Sequence, residues 1–383
     1  MKRSILGTTA LVAAGTLSAS GAEAKIELGI SGYMNTFFSV AAIDEGANDT
    51  RDFNPTGLFS DGEVHFSGEY TADNGVAFGA VVELEMFGDV NSGGDPIDEK
   101  FAYLHASFGE FYAGSMSSAA YQMHYAAPFA GLPINSGWVT VFIPANPDSS
   151  TAFEHPAVST FIDFGGSDNM VSYFTPRFWG FQLGLTYAPS LVGNGDGKNF
   201  PVEADTETEY SNGFAVGLNY VEDFNGFGVA VAAGWRYAQA SDQISDAGYD
   251  DYQAISVGVQ LSYAGFTVGG SYANEYEGMV LGTDDDEDGE FDSFTSTEGQ
   301  SWDVGVTYGL GPWTVGLTYF KGETEDDVAD SGDDTMQAVQ GGVNYALGPG
   351  ISLSGGLMWA QWDTEADFEN KGIAGAVGIT FEF

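Results

Sequence analysis

Cysteine is absent from the 383 residues, which excludes a disulfide framework, a thiolate nucleophile and any cysteine-based zinc site. Basic side chains are scarce: 10 Lys and Arg stand against 55 Asp and Glu, for a formal net charge of −45. That excludes nucleic acid as a partner, because phosphate binding needs clustered cations. Long hydrophobic runs are missing too, so no stretch of about 20 apolar residues can cross a bilayer as a helix. Histidine is limited to His65, His105, His124 and His155, none of them in an H-E-x-x-H or G-x-S-x-G context. The chain therefore reads as a non-enzyme that requires no cofactor.

What is present is glycine, at 54 residues, and aromatic side chains, at 14%. The mean hydropathy is −0.08. A disordered acidic chain would lack these aromatics, so the acid decorates something folded. The first residues read as a secretory signal: Lys2 and Arg3, an apolar stretch from Ile5 to Leu17, and an A-x-A site at Ala22-Glu23-Ala24. Residues 1–24 are expected to be removed, leaving a chain that begins at Lys25.

From there, alternating segments come in pairs with short turns between them. Val64 to Thr71 and Val76 to Met86 flank Ala72-Asp73-Asn74-Gly75, where Asn-Gly is a hairpin signal. Phe101 to Phe108 meets Phe111 to Ser115 at Gly109-Glu110, and Met170 to Thr175 meets Phe181 to Tyr187 across Pro176 to Gly180. Four further turns stand near Asn225-Gly226, Ala264-Gly265, Gly311-Pro312 and Gly348-Pro349-Gly350. Seven hairpins, with Ile26 to Ser39 in front and Ile373 to Phe383 behind, predict 16 strands. An even count is what a bacterial single-chain outer-membrane barrel requires. The segments on the other side, such as 117–168, 190–209 and 277–299, are longer and richer in Asp, Gly, Ser and Thr.

One face of each strand is apolar and ends in Tyr or Trp. Val216-Leu218-Tyr220, Val257-Val259-Leu261-Tyr263 and Val304-Val306-Tyr308 run into the short turns; Leu183-Leu185-Tyr187 and Leu353-Gly355-Leu357-Trp359 run out of them. Aromatics at both ends are expected where lipid tails meet headgroups. In the last strand Ile373, Gly375, Val377, Ile379, Phe381 and Phe383 share one face, with Thr380 and Glu382 on the other. A soluble β-sandwich also alternates, but it does not explain a second face that stays small and polar, or aromatics at both ends. The predicted fold is all-β, a 16-stranded antiparallel transmembrane barrel.

The chain resembles the Gram-negative general porins, particularly those of alphaproteobacteria. The likeness lies in Leu28-Gly29-Ile30-Ser31-Gly32-Tyr33-Met34-Asn35, in Tyr173-Phe174-Thr175-Pro176-Arg177-Phe178-Trp179-Gly180-Phe181, and in Gly378-Ile379-Thr380-Phe381-Glu382-Phe383. It implies a homotrimer in the outer membrane, bounded by lipid and lipopolysaccharide, with a water-filled pore in each subunit passing small polar solutes and ions. It also implies that the third long loop folds inward and that Phe383 marks the chain for the barrel-insertion machinery. In such porins, acids on that loop face an arginine cluster on the opposite wall.

Passive diffusion needs a lumen, a constriction and a charge pattern. The third loop, 117–168, far exceeds an ordinary hairpin connection and is the constriction candidate, with Asp148, Glu154 and Asp163 as its acids. The polar alternation of the early strands offers His65, Ser67 and Glu69, then Glu83 and Glu85, then Tyr103, His105 and Ser107 as pore lining. The basic side is thin, with Arg51 and Arg236 as its candidate members. The summed charge predicts a cation-preferring pore.

Asp284, Asp286 and Asp288 stand at the spacing of a calcium loop, yet the twelfth position is Thr295 rather than a bidentate Glu. A solvated acidic loop is the leading reading, with weak Ca2+ or Mg2+ binding as the alternative. Two rivals to a general diffusion channel stay open: a channel for one specific solute, and a secreted acidic β-protein acting as an adhesin or surface protein. Outer-membrane fractionation and heat-modifiable migration on SDS gels are expected for the barrel. A soluble sandwich would show neither.

Overall fold

The computed structural model describes residues 26–45, 53–87, 97–144, 158–164, 169–191, 210–278, 280–283, 293–296, 298–325, 333–363 and 369–383. The strands are β1 (Glu27–Glu45), β2 (Thr56–Thr71), β3 (Ala77–Glu85), β4 (Ile97–Ala106), β5 (Gly109–Ser115), β6 (Asn169–Phe174), β7 (Phe181–Ser190), β8 (Ser211–Phe224) and β9 (Phe227–Gln239). They continue as β10 (Tyr252–Tyr263), β11 (Phe266–Glu277), β12 (Val280–Thr283), β13 (Ser293–Ser296), β14 (Gly299–Leu310), β15 (Trp313–Glu325), β16 (Asp333–Gly348), β17 (Ile351–Asp363) and β18 (Glu369–Glu382). Three short helices, α1 (Ala119–Gln122), α2 (Val139–Phe142) and α3 (Asp242–Asp246), lie in connections.

All strands except β12 and β13 form one closed antiparallel barrel in sequence order, sealed where β18 pairs with β1. This is the predicted 16-strand barrel. The seal is carried to the last residue, where Gly32 and Phe383 exchange backbone N–H···O bonds of 3.0 Å. The additional hairpin β12–β13 sits in the connection between β11 and β14, where the sequence suggested only a loop; Val280, Leu281, Phe294 and Thr295 are strand formers flanking its acidic centre.

The predicted turns fall where their chemistry places them, with one shift. Asn225-Gly226 and Ala264-Gly265 both take positive φ at their two central residues, as a tight two-residue hairpin with right-handed twist demands. The β4–β5 turn is made by Ser107 and Phe108, so Gly109 and Glu110 already belong to β5. Aromatic pairs ring the outside at both ends. Phe181 with Tyr220 (4.7 Å between ring centres), Phe266 with Tyr308 (4.4 Å) and Trp313 with Tyr345 (4.4 Å) mark the short-turn end. Tyr187 with Phe214 (5.0 Å) and Trp302 with Tyr319 (5.0 Å) mark the other. Between them Val257, Val259, Leu317, Leu357 and Val377 are exposed. Such a surface is stable against lipid and not against water.

The buried core is inside the barrel, because the described limbs of the third connection, residues 117–144 and 158–164, lie against the inner wall. Leu132, Ile134, Val139, Phe142 and Ile143 pack on Phe320, Met336, Met358 and Trp362. Polar anchors follow the loop around the barrel. Ala119 N–H donates to Thr186 of β7 (2.9 Å), Ala127 N–H to Asp303 of β14 (3.0 Å), and Gly131 N–H to Asn344 of β16 (2.9 Å). Gln260 of β10 donates to the Ala126 carbonyl (2.7 Å), Thr318 of β15 to that of Pro128 (2.9 Å), and Trp362 of β17 to that of Ile143 (2.9 Å). Each satisfies a loop backbone group that water would otherwise have to reach.

The approach is close enough that glycine is needed on the wall: a Cβ on Gly258 would overlap the Tyr125 carbonyl, and one on Gly305 that of Pro128. Gly258→Val is expected to lift the loop from β10, lowering thermal stability by about 1–3 kcal/mol and altering single-channel conductance. An exposed control, Val257→Ala on the lipid side of the same strand, should leave conductance unchanged.

Candidate functional site

The third loop divides the lumen into two unequal arcs. From β7 to β18 the inner wall is covered by loop backbone and its apolar side chains. Among the described residues no hydrogen bond runs from the loop to β2 or β3; Phe59 of β2 meets Trp138 edge to face, ring centres 4.9 Å apart, and packs against the loop's apolar cluster. The inner face of β2 to β4, the bare arc, is the less covered one, with Phe101 of β4 packed against the loop's cluster at its edge.

That arc is acidic. Period-two alternation along β2 sends Asp61, Glu63, His65 and Glu69 inward, and the antiparallel register sets Glu63 opposite Glu85 and His65 opposite Glu83. Glu99 on β4 accepts from the Ser117 N–H at 2.9 Å, which holds the start of the third loop beside it. Asp98 brings a carboxylate oxygen within 4.8 Å of Glu63 and Glu85. Nearer the short turns, the Tyr103 hydroxyl donates to Glu69 (2.8 Å), and the Tyr103 ring stacks on His105 with centres 4.4 Å apart. His65, Glu69, Glu83, Glu85 and His105 thus all stand on the lumen side. Asp61, Glu63, Asp98 and Glu99 were not singled out from sequence, although Asp61 and Glu63 share the i, i+2 spacing of His65 and Glu69.

Lys100 stands on β4 itself, whereas Arg177, Arg236, Lys321 and Lys371 are placed away from this arc. Arg236 points inward from β9 as its alternation requires, but it is not pore lining, contrary to the sequence expectation. The third loop's Phe164 covers it, with the guanidinium 5.2 Å from the Phe164 ring centre and 4.3 Å from that of Tyr252. Glu275 pairs with it at 3.4 Å, and both are buried. Arg177 donates to the Gly180 carbonyl (2.6 Å) within the β6–β7 turn. Lys321 pairs with Glu323, and Lys371 with Glu369 at 2.7 Å. The arginine cluster implied by the resemblance is therefore not found on the described part of the wall.

Asp163 belongs to the loop's own fold. Its carboxylate accepts from the Ser118 N–H (2.9 Å) and the Phe164 N–H (2.9 Å), tying the loop's outgoing and returning limbs together. Arg51, Asp148, Glu154, Asp284, Asp286, Asp288 and the leader 1–24 lie outside the described residues. Phe383 is half exposed at the seam with β1.

Beneath the loop, a polar network locks it in place. Thr160 shares a 2.7 Å hydrogen bond with Ser271 of β11, Asn135 donates to Thr160 and to Asp303 (both 2.6 Å), and Ser271 donates to Asp303 (2.6 Å). His124 joins it through Nε2 to Thr160 at 3.2 Å, while its buried Nδ1 has no partner. Burial alone pulls the His124 pKa down to about 4.

A closed antiparallel barrel with an apolar exterior, aromatic girdles, short turns at one end and a polar lumen holding an inward-folded loop defines an outer-membrane channel. The chain belongs to the Gram-negative porin family, whose model matches residues 7–364, and its place is the outer membrane. Among solved structures it is similar to the anion-selective porin from Comamonas acidovorans, at 18% identity, TM-score 0.58, and coverage of 93% of this chain and 100% of that one. It is also similar to a porin refined at 1.8 Å, at 16% identity, TM-score 0.58 and the same coverage, 93% and 100%. The Vibrio cholerae outer membrane protein OmpT in its trimer form follows at 14% identity and TM-score 0.56, with 94% of this chain and 99% of that one covered. At these identities the likeness is one of fold. No curated protein matched.

Because folded His124 stays neutral down to about pH 4 while the unfolded residue protonates near 6.5, the loop's anchorage is complete above pH 6.5 and weakens toward pH 4. The loss is on the order of 3 kcal/mol at most. The difference in melting temperature between pH 7 and pH 4.5 is expected to shrink in His124→Gln relative to the parent protein.

Proposed function

We propose that this porin is a general diffusion channel with a preference for cations, its aperture lying between the third loop and the carboxylate-bearing arc of β2 to β4. The observation that carries the reading is the sign of that arc: Asp61, Glu63, Glu83, Glu85, Asp98 and Glu99 gather on adjacent strands around His65, which lies 2.7 Å from Glu63 and 3.7 Å from Glu83. A low-dielectric wall focuses such a field into the narrow aqueous path and raises the local concentration of cations. Solutes are sorted by size at the loop edge and by charge at the wall, with no chemical step. The Comamonas neighbour is described as anion-selective, so the barrel itself fits either sign and the wall chemistry decides.

In this reading the loop 117–168 is the constriction, and residues 1–24 are an export signal absent from the mature porin. Phe383 is the handle for barrel insertion. The working unit is a homotrimer, supported by the trimer form of the Vibrio cholerae neighbour and by the apolar outer surface. Asp284, Asp286 and Asp288 belong to a solvated acidic connection, with weak Ca2+ or Mg2+ binding as the alternative, in a porin bounded by lipopolysaccharide.

Planar-bilayer recordings under a KCl gradient are expected to give a reversal potential of cation-selective sign. The triple variant Glu63→Gln, Glu83→Gln, Glu85→Gln should move it most of the way to zero. Raising salt should reduce the preference as the field is screened. Anion selectivity in the parent protein would overturn the reading.

A further inference from the structure

Three side chains of the bare arc arrange their donors in a way that cation preference alone does not require. Glu63 Oε2 lies 2.7 Å from Nε2 of His65, and Glu83 Oε1 lies 3.7 Å from Nδ1 of the same ring. The first contact is a hydrogen bond, so in neutral His65 Nε2 carries the proton and Nδ1 presents a bare lone pair toward Glu83. Glu63 is itself held, since its other oxygen accepts from the Tyr33 hydroxyl at 3.0 Å. Donor atoms from all three residues fall within 4.8 Å of one another.

A carboxylate on one ring nitrogen is what orients a metal-ligating imidazole and raises its basicity, leaving the other nitrogen for the metal. An ion with bonds of about 2.1 Å sets neighbouring ligands roughly 3–3.5 Å apart, so a small side-chain movement closes the gap between Nδ1 and Glu83. We propose that Glu63, His65 and Glu83 form a transit site for divalent transition-metal ions. Nδ1 of His65 and the Glu83 carboxylate are the ligands, Glu63 holds the ring, and water completes the coordination.

Imidazole in the donor set separates such ions from Ca2+ and Mg2+, which take oxygen. Two protein ligands make the site weak, and a conduction path needs a site that an ion can leave. The sheet register points the same way. Glu63 faces Glu85 directly across the β2–β3 ladder, and like charges so placed destabilise a sheet unless a cation lies near. This site rests on the reading of the bare arc as the conduction path.

The test uses the purified full-length channel in planar bilayers in KCl, with ZnCl2 or CaCl2 added. Zn2+ is expected to interrupt single-channel current at lower concentration than Ca2+. His65→Gln should raise the half-blocking Zn2+ concentration about 10- to 100-fold and leave that of Ca2+ unchanged, and Glu63→Gln should raise it about 10-fold. Equal block by the two ions, or Zn2+ block indifferent to His65→Gln, would overturn the site and leave the arc an acidic surface only. The KCl reversal potential of the same preparations separates the two failures: loss of Zn2+ discrimination with cation preference intact removes only the metal site, whereas anion preference removes the reading of the arc. Heat-modifiable migration on SDS gels establishes that each variant is folded.

Discussion

Every backbone N–H and C=O in the hydrocarbon layer must find a partner within the protein, and that requirement governs the rest of the structure. A flat sheet would leave two unpaired edges in lipid, so β18 returns to β1 and pairs with it from Tyr33 opposite Glu382 to Glu45 opposite Asn370. Closure then sorts the side chains. Outward positions take Val, Leu and Phe with aromatics at the rims, and inward positions are released from hydrophobic duty. The chain's excess of acid is compatible with a membrane because lumen and long connections can carry it.

Released from lipid, the inner wall is used in two ways. Over the arc from β7 to β18 it serves as a docking floor: small residues admit the loop's backbone, and Thr186, Gln260, Asp303, Thr318 and Asn344 anchor it. Over β2 to β4 it is left bare and charged. Asp303 illustrates the division, since its carboxylate is consumed by loop and wall donors and contributes bonding rather than field to the aqueous path. Glu85, on the bare arc, faces Glu63 across the ladder and acts through its charge rather than through a hydrogen bond among the described residues. Acidity in this lumen thus has two separable meanings, decided by whether the loop passes over the residue.

The barrel was legible in the sequence because its signals are local. Period-two alternation, turn pairs such as Asn225-Gly226, and aromatics at strand ends each span a few residues and repeat. The lumen side of His65, Glu69, Glu83, Glu85 and His105 follows from the same alternation. What could not be read is which inward residues stay in contact with water. Arg236 has the alternation of a pore residue, and nothing near it in the chain announces that Phe164 will lie over its guanidinium. Glu63 was overlooked beside His65 although it shares the spacing, since its importance comes from facing Glu85 and from the Tyr33 hydroxyl, both set by register. The β12–β13 hairpin escaped because a dense acidic run masks the short strand formers on either side of it.

The order of the loop's anchors carries a consequence for assembly. The loop enters the chain before β6, yet its partners are spread through strands made much later: Ser271 and Ser301 hold its returning limb, Trp362 the Ile143 carbonyl, and Asn370 that of Pro144. Contacts so distant in sequence must wait for most of the chain to be in place. The loop's full set of anchors is therefore complete only once the C-terminal strands arrive, the same strands that seal the cylinder. Any intermediate stalled before β17 and β18 would lack both the seam with β1 and the anchors at Ile143 and Pro144.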